Sequence, residues 1–202
     1  LHHDVKNKIH TADGYLDLVE ESDCSPAAMD HLETATRALS GSLVLIDQIS
    51  TLSELGQEEV SVCDLKEVLD DVVDGYASQA AAEDVDLSYE GCEGAVRGGP
   101  LLEALFGNLI TNALKHSNAD SIAIRCRRED EEYVVVVADD GDGLGSETAA
   151  QLLEKGVSEG ESAGTGLGLY LVDQIAQSYG GHVELGDSDG GGLRVAVHLR
   201  AA

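Results

Sequence analysis

Asn108-Leu-Ile-Thr-Asn112-Ala-Leu-Lys115-His116-Ser117 is the stretch that decides the fold. Leu102, Leu105, Leu109 and Leu114 recur near helical spacing, which predicts a helix from about Pro100 to His116. Asn108 and Asn112 stand four apart, so two carboxamides stack on one face, and Lys115 follows three residues on. An amide oxygen ligates a hard cation without adding negative charge, and a lysine offers a point charge to phosphate. The stretch therefore reads as one side of a magnesium–nucleotide pocket. Taken alone it fits an ordinary amphipathic helix equally well, and the residues downstream decide between the two.

Downstream, the strand-like run Val134-Val-Val-Val137-Ala138 leads straight into Asp139-Asp-Gly141-Asp-Gly143. A carboxylate at a strand end, followed by two glycines, lets backbone pass close to a flat ligand. Being acceptor-only, it can read an exocyclic amine such as adenine N6. Gly164-Thr165-Gly166-Leu167-Gly168-Leu169 then opens a further helix, where glycines before a helix N-terminus expose N–H donors to phosphate. No strand ends immediately before this run and its spacing is GxGxG, so it is not a dinucleotide fingerprint. It also lacks the Gly-Lys-Ser/Thr of a Walker A loop.

Around these motifs the chain divides at Gly56. Before it, Val5, Ile9, Ala12, Leu16 and Val19 predict a helix from the start to about Glu21. Ser25 caps, and Pro26 opens, a longer helix to about Leu55 with Leu32, Ala35, Leu39, Ser42, Ile46 and Ile49 in an a/d-like rhythm. Two such helices cannot bury their stripes alone, so residues 1–56 are expected to form a hairpin that pairs with a second copy as a four-helix bundle. Beyond it, Val60–Val62, Val85–Tyr89, Ser121–Arg127 and Tyr133–Ala138 read as strands. Leu65 to about Ala82 and Leu169–Ser178 read as helices, and His182–Leu185 with Leu193–Leu199 as a closing hairpin. Residues 57–202 are thus expected to form an α+β sandwich, one mixed sheet covered by helices on one face.

Composition restricts the partners. Hydrophobic residues make up 43% of the 202 positions, enough for a core, but aromatics only 3%, so aliphatic side chains must do the packing. Lys and Arg number 12 against 39 Asp and Glu, a net charge of −27 spread along the chain. Such a surface repels nucleic acid and anionic lipid and is similar to that of proteins from salt-loving organisms. The cysteines Cys24, Cys63, Cys92 and Cys126 are scattered without a CxxC pair, which predicts reduced thiols in a cytosol. No run reaches the length of a membrane span or a signal peptide, and a start without methionine inside a helix reads as a fragment of a larger protein.

Asn108, Asn112 and Lys115, then Asp139-x-Gly141-x-Gly143, then Gly164-x-Gly166-x-Gly168, occur in that order over roughly residues 57–200. The set resembles the N, G1 and G2 boxes of the ATP-binding domain shared by histidine kinases, gyrase-type topoisomerases, mismatch-repair ATPases and heat-shock chaperone ATPases. That resemblance implies that Asn112 holds Mg²⁺ with Asn108 beside it and that Lys115 touches phosphate. Asp139 would bind the adenine amine of ATP, and Gly164–Gly168, including Thr165 and Leu167, would line a mobile lid. The hydrolytic members carry a water-activating glutamate where this chain has Asn108, which cannot act as a base. The pocket then holds ATP for another acceptor.

His3-Asp4-Val5-Lys6-Asn7 resembles the phosphoacceptor motif of histidine kinases. By that resemblance His3 is the nucleophile, Asp4 fixes its tautomer, and Asn7, one turn on, orients water for dephosphorylation. Together these imply a cytoplasmic sensor histidine kinase core, haloarchaeal in style, with a homodimer and a response-regulator receiver domain as partners. Two features depart from the pattern: Lys8 replaces the usual proline, and Leu152–Gly156 stands where a Phe-containing box is common. They keep open an ATP-binding regulatory dimer or a degenerate kinase acting as a phosphatase of its regulator. His10, His31, His116, His182 and His198 read as surface or interface histidines, because no carboxylate or third histidine completes a metal site beside His10.

Overall fold

The computed structural model describes Ile9, His10, Ala12, Gly14 and Leu16, together with residues 25–57, 59–143 and 167–202. The chain forms two compact units, Leu1–Ser53 and Glu54–Ala202.

In the first unit the isolated residues from Ile9 to Leu16 are helical, and helix α1 spans Pro26–Glu54. Ser25 Oγ accepts from Ala28 N at 3.3 Å, and Pro26 takes the first helical position, where its missing N–H costs nothing. The stripe Leu32, Ala35, Leu39, Ser42 and Ile46 is only half-buried, and Ile49 is 45% exposed. The turn at Ser22–Cys24 and the residues His3, Asp4 and Asn7 lie outside the described residues.

The second unit runs β1 (Ser61–Asp64), α2 (Leu65–Ala82), β2 (Asp86–Tyr89), β3 (Ala95–Gly98), α3 (Leu101–His116), β4 (Ser121–Glu129), β5 (Glu132–Asp139), α4 (Gly168–Ser178), β6 (His182–Asp187) and β7 (Leu193–Arg200). Asp64 starts α2 by accepting from Lys66 N at 2.9 Å and Glu67 N at 3.4 Å. The main sheet has the order β2-β4-β5-β7-β6, with β2 and β4 parallel and the remaining pairs antiparallel. It is the mixed sheet of an α+β fold. β1 and β3 do not join it: they pair antiparallel as a separate two-stranded sheet, and a bridge from Val96 to Ala201 ties β3 to the end of β7. The expectation of one sheet is corrected there. β3 escaped notice because Ala95-Val-Arg-Gly98 offers a single strongly apolar residue for a periodicity to catch.

Strand alternation places the core. Ile122, Ile124, Tyr133, Val135, Val137, Val195, Val197 and Leu199 are buried on one face, in register across β4, β5 and β7. Helix α3 packs between α2 and α4, burying Leu102, Leu105, Phe106, Leu109, Ile110 and Ala113. Leu114, expected in the apolar stripe, is only half-buried, and Phe106 and Ile110 carry that face instead. The opposite sheet face carries Arg125, Arg127, Glu132, Glu184 and His182, all partly or fully exposed.

Four reduced cysteines were expected, and the structure corrects this. Cys92 and Cys126 are joined in a disulfide with Cα atoms 5.4 Å apart. Parallel pairing of Tyr89 with Ile124 carries the chain just past β2 alongside β4, and the 34-residue separation hides that meeting from any local motif. Cys63 is a free thiol, and Cys24 lies outside the described residues.

Candidate functional site

Helix α3 turns one face to the core and leaves Asn108, Thr111 and Asn112 half-exposed, with Lys115 exposed in the last turn. The two asparagines therefore do share a polar face. Asn108 Nδ2 donates to Ala104 C=O at 2.7 Å, one turn back, which fixes the orientation of its amide. Asn112 meets the start of α4: a Cβ added at Gly168 would lie 2.8 Å from Asn112 Oδ1 and 3.0 Å from its Nδ2. The glycine at that position is what lets the two helices meet there. Leu167, just before α4, is buried and accepts the first helical hydrogen bond, from Leu171 N at 2.8 Å. Gly164, Thr165 and Gly166, with the Leu152–Gly156 run, lie outside the described residues.

Asp139 ends β5 on the helix-facing side and is 5% exposed. Its Oδ1 accepts from Gly141 N at 3.0 Å and from Leu193 N at 3.2 Å. Burial pushes the carboxyl above the usual aspartate range; the two N–H donors oppose that rise, while Asp140 and Asp142 add to it. Both of these bonds go to Oδ1, and no described residue bonds Oδ2, which leaves one carboxylate oxygen to offer. An acceptor-only oxygen of this kind suits an N–H donor.

The loop after Asp139 is fastened to the end of α3. Asp142 N donates to Ser117 C=O at 2.8 Å, and Asn118 Nδ2 donates to Asp142 Oδ2 at 2.7 Å. Gly141 lies so close to the Ser117 carbonyl that a Cβ would overlap it, and Gly143 has φ of 69°, the left-handed region. Asp140 turns the other way. It accepts from Asp120 N and Ser121 N, each at 2.9 Å, and from Ser121 Oγ at 2.8 Å. Those bonds, the Ser121 pair foremost, hold its carboxyl below the usual range. Of the neighbouring acids, Asp140 braces β4 and Asp139 faces the site.

The structure thus brings Asn112, Gly168, Asp139, Gly141 and Gly143 to one end of the α3–β5 layer, with Asn108 and Lys115 on the same helix face. Sequence reasoning missed Leu193, whose main-chain N–H reaches Asp139 from 54 residues away. The glycines 190–192 before it were the available signal, since a Cβ at Gly192 would overlap Asp139 Oδ1. A separate cleft of about 680 Å³ is lined by Arg97, Arg128, Glu131, Glu132 and Arg200, and it contains none of the residues predicted for the site.

Residues 99–202 match the model of the histidine kinase-, DNA gyrase B- and HSP90-like ATPase family. The sensor protein GacS of Pseudomonas syringae pv. syringae is 25% identical over 217 residues, covering 98% of this chain and 24% of that protein. The sensor protein QseC of Escherichia coli O157:H7 is 34% identical over 163 residues, covering 76% of this chain and 35% of that protein. The chain therefore spans a quarter to a third of these relatives. Among solved structures, full-length ShkA in complex with AMPPNP is similar in fold, with a TM-score of 0.71 at 20% identity, covering 100% of this chain and 45% of that one.

Proposed function

Because the chain belongs to the histidine kinase-, DNA gyrase B- and HSP90-like ATPase family, we propose that it is the catalytic core of a sensor histidine kinase. It phosphorylates its own His3 from ATP and passes the phosphoryl group to an aspartate of a response regulator. The observation that carries this reading is the meeting of three separated motifs at one place: Asn112 against Gly168, the Gly141 loop against Ser117, and the half-satisfied carboxylate of Asp139.

Asp139 accepts the adenine amine through Oδ2 and thereby sets the orientation of ATP. Asn112 and Asn108 offer amide oxygens to Mg²⁺, and Lys115 offers its ammonium to phosphate. Mg²⁺, when bound, neutralises charge on the triphosphate, which matters more on a chain of net charge −27. The N–H groups opening α4 at Leu167 and Gly168 add donors for phosphate oxygens, with Gly164–Gly166 continuing the lid. Asn108 replaces the base that activates water, so the phosphoryl group is kept for transfer. His3 attacks the γ-phosphorus through the ring nitrogen that Asp4 leaves free, with ADP as the leaving group, and Asn7 orients water for the separate dephosphorylating reaction, which releases inorganic phosphate. Positioning and charge neutralisation supply most of the rate.

The half-buried stripe on α1, with Ile49 exposed, supports pairing of the N-terminal unit with a second copy in a homodimer. No described helix is long and apolar enough to cross a membrane. The acidic surface suits a cytoplasm rich in salt, of the haloarchaeal kind.

Incubation with radiolabelled ATP and Mg²⁺ tests the reading. Acid-labile phosphate should accumulate on the chain and vanish in His3→Gln. Nucleotide binding without incorporation would instead favour the regulatory dimer or phosphatase, and rapid phosphate release without phosphohistidine would favour a hydrolytic ATPase.

A further inference from the structure

The open face of the main sheet gathers a second set of polar side chains. His182 and His198 sit directly opposite one another across β6 and β7, their rings stacked at 4.1 Å with an interplanar angle of 16°. Glu132 opens β5, diagonal to His198 in the register, and its Oε2 lies 3.4 Å from His198 Nδ1. Glu184, two residues beyond His182, places one carboxylate oxygen 3.7 Å from His198 Nε2 and the other 3.8 Å from His182 Nε2. The ligand atoms of Glu132, His182 and His198 all lie within 4.8 Å of one another. His198 Nε2 is buried without a hydrogen-bond partner.

We propose that Glu132, His182 and His198 form a binding site for a divalent first-row transition ion, with Zn²⁺ as its reference occupant. Zn²⁺ holds N and O ligands at about 2.0–2.2 Å, so tetrahedral neighbours stand about 3.3–3.6 Å apart. Glu132 and His198 already have that spacing, and the His182 side chain, 51% exposed, is free to rotate inward. Two imidazoles and one carboxylate suit zinc, copper or nickel, whereas Mg²⁺ and Ca²⁺ take oxygen shells. With His198 Nδ1 on the ion, its Nε2–H points to Glu184, the carboxylate partner that ligating histidines usually have. Three protein ligands leave a coordination position for water.

This site is distinct from the nucleotide site. Glu132 and Asp139 are the first and last residues of β5, 139 − 132 = 7 positions apart, or about 23 Å along a strand. An odd separation also puts them on opposite sheet faces. An ion held there would clasp β5, β7 and the edge strand β6 without touching the ATP-binding groups.

Zn²⁺ titration of the whole chain by calorimetry tests the proposal, in millimolar Mg²⁺ and molar KCl to suppress diffuse binding to the acidic surface. One tight site per chain is expected. His182→Gln and Glu132→Gln, both on exposed or half-exposed positions, should each weaken it by at least about 100-fold, and Glu184→Gln by about 10–100-fold. His10→Ala should leave it unchanged, and ADP affinity should stay constant throughout. Co²⁺ should give the intense visible bands of tetrahedral coordination in the wild type and not in His182→Gln. A wild type without a discrete Zn²⁺ site would overturn the assignment. So would undiminished binding in the His182→Gln/His198→Ala double variant, or ADP affinity that falls together with Zn²⁺ affinity.

Discussion

Asp139 and Asp140 are chemically identical neighbours with opposite environments. Asp139 is buried and its pKa is raised, so its contribution to stability is fully present below the unfolded aspartate pKa and is lost as pH rises through the folded value. Asp140 is hydrogen-bonded and depressed, so its contribution is present above the unfolded pKa and is lost as pH falls through the folded one. Carboxyl chemical shifts followed by NMR across an acid titration should find Asp139 protonating before Asp140, and the reverse order would refute the assignment. Adenine recognition needs the ionised acceptor, so nucleotide affinity should fall on acidification as Asp139 takes up its proton. Asp139→Asn replaces a charged acceptor while keeping an oxygen for Gly141 and Leu193. Loss of a hydrogen bond to a charged group, about 1.5–3 kcal/mol, predicts roughly a 10–150-fold weaker ADP affinity by calorimetry with little change in fold. The tip of Asn112 is flexible, so it can move aside for a new methyl at Gly168. Gly168→Ala should therefore cost about 1 kcal/mol of stability or less, yet lower Mg²⁺-nucleotide affinity about tenfold by displacing the amide. Unchanged affinity in that variant would remove Asn112 from the site.

At the scale of elements, α3 links the core to the site. Its apolar face, with Phe106 and Ile110 fully buried, fixes the rotation that leaves Asn108 and Asn112 half-exposed. Its N-terminus is held by Tyr179, whose OH accepts from Leu101 N at 3.3 Å in place of a side-chain cap. Tyr179→Phe removes that acceptor and should lower stability by about 1 kcal/mol, or about 2–4 °C in Tm for a unit of this size. A melting curve matching the wild type would mean that the N–H finds another partner. Gly107 lies under Tyr76, so close that a Cβ would sit 2.9 Å from the Tyr76 hydroxyl, and this lets α2 and α3 approach closely. Helical periodicity gave both helices within a residue of their observed bounds, because a half-buried helix displays its period in the order of its residues. Nothing comparable announces Tyr179 as a cap, since cap and helix lie 78 residues apart.

For the whole molecule, the net charge of −27 is the dominant electrostatic fact. The described lysine and arginine ion pairs are few and exposed, Lys66–Asp70 and Arg125–Glu90 among them, and such pairs contribute little. Repulsion among the remaining carboxylates should therefore dominate at low salt. Raising KCl from about 0.1 to about 1 M shortens the screening length from about 10 to about 3 Å, so Tm should rise over that range. A Tm that stays flat or falls would show that the charges are already neutralised by local structure.

The order of residues by itself determined most of the elements, β3 excepted, and the family of the ATP-binding-type domain. Helical and strand periodicity, and three glycine- or asparagine-bearing motifs in a fixed order, are local signals, each written within a few residues. What only the tertiary structure decided are the meetings between distant strands: Leu193 on Asp139, Cys92 on Cys126, the separate β1–β3 sheet, and His182 and His198 with Glu132. Those histidines read as unremarkable surface residues until the register set them opposite one another. Register follows from which faces the whole sheet must bury, and no short stretch of sequence carries that information.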